Sequence, residues 1–263
     1  MNDETERLEV AQELVLRAGT RAQELRRAGL SRAQKAHQDF VTQADNEIEA
    51  TVRIELLQRF RSDGFLGEES GIVPAPAGDG GVWILDPVDG TSNYAAGLDA
   101  WCISLAWVHA GQARLGIVYA PDRNELFVAR RGEGATLNQA PLSLLDTVPV
   151  PIDQSLIMTG QGSALPMEAH LEVLRRLLSA GFEYRRFGSG ALGIARVATG
   201  TIQGYVEPGM YAWDVAAARL VVSEAGGELA PFPMDRLSTE LGPAVVACRP
   251  GLHDTLLATV QLD

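Results

Sequence analysis

The sequence predicts an α/β protein in two parts, α+β before residue 148 and alternating α/β after it. Three observations carry this. Two stretches near the start space their apolar residues as long helices do, a block of short apolar runs split by Gly, Pro and Asn follows, and the remainder alternates strand with helix patterns. At 263 residues the chain can bury a sizeable core, as one large domain or two intimately packed halves. Hydrophobic content of 46% with 21% charged residues describes an ordinary globular chain, with no sign of disorder.

Residues 4–28 place Leu8, Ala11, Leu14, Val15, Ala18, Ala22 and Leu25 on one helical face, and Gly29 is a natural stop. Residues 45–60 repeat the pattern with Ile48, Val52, Leu56, Leu57 and Phe60, with Asp45 placed to cap the start and Asp63-Gly64 to end the segment. From Val82 the texture turns to β: 82–85, 101–109, 113–120 and 125–129 are short runs, and Ala110-Gly111-Gln112 joins the middle two as a hairpin. Beyond Val148-Pro149-Val150-Pro151, residues 156–159, 168–179, 182–187, 191–199, 202–207, 213–225, 244–248 and 252–260 read as β-α-β-α-β-α-β-α. That proline-spaced stretch divides an N-terminal half, 1–147, from a C-terminal half, 148–263. No internal repeat or low-complexity segment interrupts either half.

Composition excludes several classes. The net charge is −12, with 34 acids against 22 bases, and the bases are arginines except for Lys35. No basic run exists, so no nucleic-acid partner is expected. Cys102 and Cys248 lie in apolar runs with no CxxC or Cys/His cluster, which fits buried free thiols in a reducing compartment. The first residues are too charged for a signal peptide, and no apolar run approaches the ~20 residues of a membrane span. A cytoplasmic protein without a membrane partner is the expectation.

The chemistry is expected at residues 83–94, Trp-Ile-Leu-Asp-Pro-Val-Asp-Gly-Thr-Ser-Asn-Tyr. An apolar run ends there in two carboxylates, Asp86 and Asp89. Like charges ~4 Å apart repel by about 4 kcal/mol at an effective dielectric near 20, so buried together they require a cation. A plain Asp-Pro-x-Asp-Gly turn from strand to helix is the competing reading. Gly90 permits close backbone approach, and Thr91 and Ser92 resemble a helix start whose N–H groups favour phosphate.

Other acids are ambiguous one at a time. Gly67-Glu68-Glu69-Ser70 follows the apolar Phe65-Leu66, so Glu68 would end a strand, yet the segment also fits a solvated turn. Trp213-Asp214 opens an Ala-rich stretch, where Asp214 suits an N-cap, and Glu207 ends the preceding strand seven residues upstream. Asp45 fits a cap and Lys35 an ordinary surface lysine. Gly188-Ser189-Gly190-Ala191-Leu192-Gly193 matches GxGxxG between an expected strand and helix, with Glu207 19 residues after Gly188, as a dinucleotide site would have it. That reading, a nicotinamide-dependent oxidoreductase, leaves the acids at 68, 86 and 89 without a purpose; alternatively the glycines let a helix start approach a substrate. There is no GxSxG, no GxxxxGK[ST], and no HExxH or HxH among the four histidines.

Taken together, Gly67-Glu68-Glu69-Ser70, Asp86-Pro87-Val88-Asp89-Gly90-Thr91-Ser92, Trp213-Asp214 and Glu224-Ala225-Gly226-Gly227 resemble the signatures of the inositol monophosphatase family, magnesium-dependent and lithium-sensitive phosphatases. Order and spacing agree across nearly the whole chain. The resemblance implies a layered α/β/α/β/α sandwich, usually dimeric, whose N-terminal sheet is largely antiparallel with two long helices and whose C-terminal sheet is mixed and flanked by helices. It implies that Glu68, Asp86, the Val88 carbonyl, Asp89 and Asp214 hold two or three Mg²⁺, and that Glu68 and Thr91 position the attacking water. Gly90, Thr91 and Ser92 correspond to the phosphate-holding helix start. The segment Asp39-Phe40-Val41-Thr42-Gln43-Ala44-Asp45 resembles a mobile Asp-x-Val-Thr segment in which Asp45 shapes a further metal site and Lys35 lies near.

Asp89, Gly190 and Glu207 match substrate-side positions, with Arg185 and Lys35 as cations for the ligand. The substrate implied is a small phosphorylated polyol or amino alcohol. Inositol 1-phosphate is favoured over histidinol phosphate, fructose 1,6-bisphosphate and phosphoadenosine phosphates. A bisphosphate would want an extra cationic pocket, for which Arg185, Arg186 and Lys35 are the candidates. A regulatory binding protein on the same fold is the remaining class.

Overall fold

Helix α1 (Asp3–Ala28) buries the face expected of it, including Leu14, Val15, Ala18, Ala22 and Leu25, and stops where Gly29 takes a φ of +97°. The computed structural model describes residues 3–29, 32–36, 39–76, 80–145, 148, 150–162 and 164–262, the side chains of 32–36 and 39–42 lying outside that description. Lys35 and Asp39 therefore appear as backbone only, and Pro149 of the expected boundary falls outside. After α1 comes a hairpin the apolar pattern does not announce, β1 (Arg32–Ala36) with β2 (Asp39–Thr42). Helix α2 (Gln43–Arg59) follows, burying Ile48, Val52 and Leu56.

Eight strands form the first sheet: β3 (Gly64–Gly67), β4 (Gly71–Val73), β5 (Val82–Asp89), β6 (Cys102–His109), β7 (Gln112–Ala120), β8 (Glu125–Arg130), β9 (Gly134–Leu137) and β10 (Ala140–Leu142). Their order is β10-β9-β8-β7-β6-β5-β3-β4, antiparallel except where β3 meets β5. The short helix α3 (Thr91–Ala96) leaves the end of β5. The second sheet holds β11 (Leu156–Thr159), β12 (Glu183–Arg185), β13 (Gly204–Glu207), β14 (Glu228–Leu229) and β15 (Val245–Cys248) in the order β12-β11-β13-β15-β14, mixed as expected. Its helices are α4 (Met167–Ser179), α5 (Gly190–Val197), α6 (Ala212–Glu224) and α7 (His253–Val260).

Stacking gives five layers. Helices α1 and α2 cover one face of the first sheet, α5 and α6 fill the space between the sheets, and α4 and α7 cover the far face of the second. This is the α/β/α/β/α sandwich the motifs imply. Helix α6 buries nearly all its apolar residues, Val215, Ala217, Leu220 and Val222 among them, because it has sheet on both sides. Its alanines let β7 approach so closely that a Cβ on Gly116 would lie 2.7 Å from the Ala217 carbonyl oxygen. Among the described residues no helix is long and apolar enough to cross a membrane.

One buried carboxylate ties the outer helices to the first sheet. Asp63 accepts two N–H groups of Arg7 at 3.1 Å, the Gly81 amide at 3.0 Å, and the indole N–H groups of Trp83 and Trp107 at 3.0 and 3.1 Å. The Arg7 guanidinium lies over Phe60 and Trp107, 4.5 and 4.6 Å from the ring centroids. Sequence reasoning assigned Asp63 only to the end of a helix. Asp63→Ala would leave two N–H groups of Arg7 and two indoles without their acceptor in the interior, Arg7 keeping its pair with Asp3, and urea unfolding is expected to show a loss of about 3–5 kcal/mol.

Candidate functional site

Asp86 and Asp89 are three residues apart, and in a regular strand they would point to opposite faces. The strand is not regular. Asp86 pairs with Ser104 and Asp89 with Cys102, so three steps on β5 match two on β6. Pro87, which has no N–H to offer a ladder, sits in this bulge. The bulge returns both carboxylates to one side. Asp86 also turns back on its own backbone, its Oδ1 accepting the Val88 amide at 2.9 Å.

Asp214 comes from the first turn of α6. The N-cap is Tyr211, which corrects the expectation for Asp214: it stands three positions into the helix, and its Oδ2 accepts the Tyr211 amide at 3.1 Å. The Ser104 hydroxyl donates to the Trp213 carbonyl at 3.0 Å and ties this turn to the strand opposite Asp86. One oxygen each of Asp86, Asp89 and Asp214 lies within 4.8 Å of the others.

The electrostatics agree with the geometry. Burial, then the charges of Glu68, Asp89, Asp214 and Asp45, push the Asp86 carboxyl well above the ordinary carboxylate range. Burial, then Asp89, Glu68 and Glu207, do the same to Asp214. Asp89 is raised by burial but moderated by donors from Ser189, Gly190, Cys102 and Ala191. Carboxylate-only donors, mutual repulsion and burial together fit a hard divalent cation, which takes oxygen ligands. Glu68 stands beside this group, half-buried at the turn after β3.

Asp45 lies two residues inside α2, which begins at Gln43, so it too is no N-cap. It is fully buried and faces α3: the Thr91 hydroxyl lies 3.2 Å from Asp45 Oδ1 and 3.0 Å from the Val88 carbonyl, sharing one proton between them. Gly90 takes a φ of +91° at the start of α3, and a Cβ there would come within 3.1 Å of the Gly188 and Ala100 carbonyls and the Ser189 side chain. Ser92 is exposed on α3.

Beside the acids opens a cavity of about 160 Å³, lined among others by Asp89, Asp214, Gly190, Glu207, Thr159 and Arg186. Glu207 is buried, accepts the Tyr205 hydroxyl at 2.5 Å and the Gly162 amide, and is raised to about 7, chiefly by burial. Thr159 Oγ1 is buried with no hydrogen-bond partner among the described residues. Arg185, expected at the substrate, is instead exposed and donates to Glu183 at 3.2 Å and to the Tyr184 carbonyl at 2.7 Å. Arg186 is the cation on the cavity wall. The Lys35 side chain lies outside the described residues.

The glycines at 188, 190 and 193 have local explanations. A Cβ on Gly190 would meet Met210 at 2.5 Å, and one on Gly193 would meet the Tyr205 ring at 2.7 Å. The N-terminus of α5, where a dinucleotide pyrophosphate would sit, is taken by Asp89, which accepts the amides of Gly190 at 3.0 Å, Ala191 at 2.7 Å and Leu192 at 3.4 Å. Sequence reasoning missed Thr159 and Tyr205, while Arg186 stood there as a candidate cation and Ser189 as part of the GxGxxG run. Neither Thr159 nor Tyr205 belongs to a spaced motif; both are brought in by the second sheet.

A five-layer α/β sandwich with a buried cluster of carboxylates able to hold a cation is thus the class of protein defined. The chain belongs to the inositol monophosphatase family, whose model matches residues 3–262. Among similar proteins, Nus factor SuhB of Haemophilus influenzae is 38% identical over 79% of this chain and 77% of that one. Nus factor SuhB of Escherichia coli K12 is 34% identical over 87% and 85%. Among solved structures, inositol monophosphatase from Anabaena (Nostoc) sp. PCC 7120 superposes with a TM-score of 0.81 at 29% identity, covering 100% of this chain and 98% of that one. Extragenic suppressor protein suhB from Bartonella henselae gives 0.83 at 28%, covering 96% and 97%.

The raised acids fix a pH signature. A carboxyl held above its unfolded value stabilises the fold while protonated, and that contribution is lost as pH rises through the folded value. With Glu207 near 7 and Asp86 and Asp214 also raised, chelator-treated protein should melt at progressively lower temperature from about pH 5 to 8. Scanning calorimetry with and without a divalent cation checks this, and the cation should remove most of the fall.

Proposed function

We propose that this protein is a Mg²⁺-dependent phosphomonoesterase acting on a small polyol phosphate, with inositol 1-phosphate the favoured substrate. The observation that carries the reading is the convergence of Asp86, Asp89 and Asp214 within 4.8 Å at the mouth of the cavity that Glu207 lines. SaIMPase-II, solved with inositol monophosphate bound and with 2'AMP bound, superposes with TM-scores of 0.76 and 0.78 at 25% and 27% identity. Those ligands support a small phosphate monoester.

Glu68, Asp86, Asp89, Asp214 and the Val88 carbonyl are the residues to hold Mg²⁺, with Asp45 shaping a further site. Bound there, Mg²⁺ supplies a water of lowered pKa and neutralises phosphate charge. The chain does the rest. Glu68 and Thr91 orient the water, Thr91 being aimed by Asp45 and the Val88 carbonyl. Amides in the first turn of α3, which no carbonyl of that helix can accept, face the phosphate at Gly90, Thr91 and Ser92. Glu207, the Gly190 turn and Thr159 receive the alcohol and its hydroxyls. With Arg185 turned to Glu183, only Arg186 offers the cavity a positive charge among its described lining residues, which favours a monophosphate over a bisphosphate.

The name Nus factor carried by relatives supports a second reading, a binding role on the same fold. The two separate experimentally. Phosphate release with Mg²⁺ from inositol 1-phosphate, histidinol phosphate, fructose 1,6-bisphosphate and a phosphoadenosine phosphate should be fastest for the first. Absence of release from every small sugar or polyol phosphate would leave only the binding role.

Asp89→Asn should lower kcat by at least about 100-fold, more than is usual for a group behind a ligand. Its circular dichroism should remain that of the parent. Glu207→Gln should raise KM more than it lowers kcat.

A further inference from the structure

Helix α2 presents Asp45 and Glu49 one turn apart on one face. Asp45 reaches Thr91. Glu49, 2% exposed, reaches the turn that carries Glu68: its Oε2 accepts the Glu69 amide at 2.8 Å and its Oε1 the Ser70 amide at 2.7 Å. The amide of Glu68 itself bonds to the Leu85 carbonyl of β5 at 3.3 Å. Three consecutive N–H groups are thus fixed, the first by the strand that carries Asp86 and the next two by one buried carboxylate.

Gly67 completes the arrangement. A Cβ there would lie 2.4 Å from Glu49 Oε2 and 2.5 Å from its Cδ, so the residue before Glu68 must be glycine for the carboxylate to reach the turn. Among the described residues no arginine or lysine pairs with Glu49. Among the described residues two amides satisfy this buried carboxyl, and the cost of desolvating its oxygens is offset only while those bonds hold the turn.

We propose that Glu49 is a positioning residue that sets Glu68 at the cation site, and that α2 thereby fixes the spacing between Glu68 and Thr91. The proposal rests on the reading of Glu68 as a metal and water ligand. A glutamine at 49 keeps one acceptor oxygen and turns an –NH₂ toward an amide donor, loosening the turn without changing its volume. An alanine at 67 keeps the charge and displaces the carboxylate. Agreement between two variants of opposite design would therefore separate positioning from a loss of charge.

The test measures Mg²⁺ affinity by calorimetry, amide exchange over residues 67–72 in chelator-treated protein, and kinetics against Mg²⁺ concentration. Glu49→Gln and Gly67→Ala are each expected to weaken Mg²⁺ by about 10–100-fold. Exchange at Glu69 and Ser70 should quicken at least about tenfold, and kcat should recover toward wild type at high Mg²⁺ with the substrate KM little changed. Asp63→Ala, a destabilised control, should lower the melting temperature and leave Mg²⁺ affinity alone.

Variants that melt earlier yet bind Mg²⁺ as wild type does would reduce Glu49 to a structural staple. If neither variant folds, the wild type decides: without metal, its Glu69 and Ser70 amides should be protected, and exchange at the rate of an open loop overturns the proposal. Failure of the phosphatase reading looks different, since wild type itself would then show no saturable Mg²⁺ binding and no phosphate release.

Discussion

Asp89 stands at the end of β5 in the first sheet and accepts hydrogen bonds from the first turn of α5 in the layer between the sheets. The Ser189 hydroxyl donates to it at 2.5 Å and the Cys102 thiol at 3.4 Å. Burial alone would drive this carboxyl neutral, and these donors work against that. The donors favour the ionised form at this point and offset part of the cost of burial. The same bonds bring α5 and its glycine turn up to the acids, so one side chain joins the wall of the cavity to the carboxylate cluster. Asp86 and Asp214 are raised first by burial, and the nearness of Asp89 adds to it.

Backbone irregularities and small residues make that meeting possible. The bulge at Pro87 brings Asp86 and Asp89 to one side of β5. Gly90 lets α3 begin against the Gly188 and Ala100 carbonyls, and Asn93 then pins the α5 loop by donating to the carbonyls of Ala100 at 2.6 Å and Phe187 at 2.5 Å. Gly160 serves the other wall, where any Cβ would run into Glu207 and the Tyr205 hydroxyl. Gly90 and Gly160 trade side-chain bulk for close approach, and each flanks a carboxylate of the site.

Much of this is legible in the sequence because it is contiguous or periodic. Apolar spacing gives the long helices and the principal strands. The Asp86-to-Ser92 block declares an acid pair ahead of a phosphate-compatible turn, and Glu68 and Asp214 join it through the family resemblance. What escapes is set by distant packing. Asp45 looks like a cap because its helix begins two residues earlier than the apolar pattern shows, and its partner Thr91 is 46 residues away. Asp63 looks like a helix stop because its partners, Arg7, Trp83 and Trp107, lie on three other elements. The GxGxxG glycines imitate a nucleotide turn because the sequence cannot show that Asp89 occupies the helix start and that Tyr205 and Met210 require the missing side chains. Arg185 and Arg186 are indistinguishable until strand β12 ends and turns them apart.

The two sheets divide the labour of recognition. The first, with α2 and α3, contributes Glu68, Asp86, Asp89 and the Gly90-Thr91 turn. The second and its loops contribute Thr159, Gly160, Arg186, Tyr205 and Glu207. Asp214 belongs to α6, which is packed between the two and is held to β6 through Ser104. On the proposed reading, cation and phosphate chemistry would sit on the largely antiparallel first sheet, and the groups facing the remainder of a ligand at strand ends and loops of the other. Substitutions at 159–162, 186 or 205–210 can reshape the alcohol side while leaving the carboxylate geometry on the first sheet intact. Asp89 is the exception: it holds the α5 turn that borders the alcohol side, so a change there reaches both halves of the site.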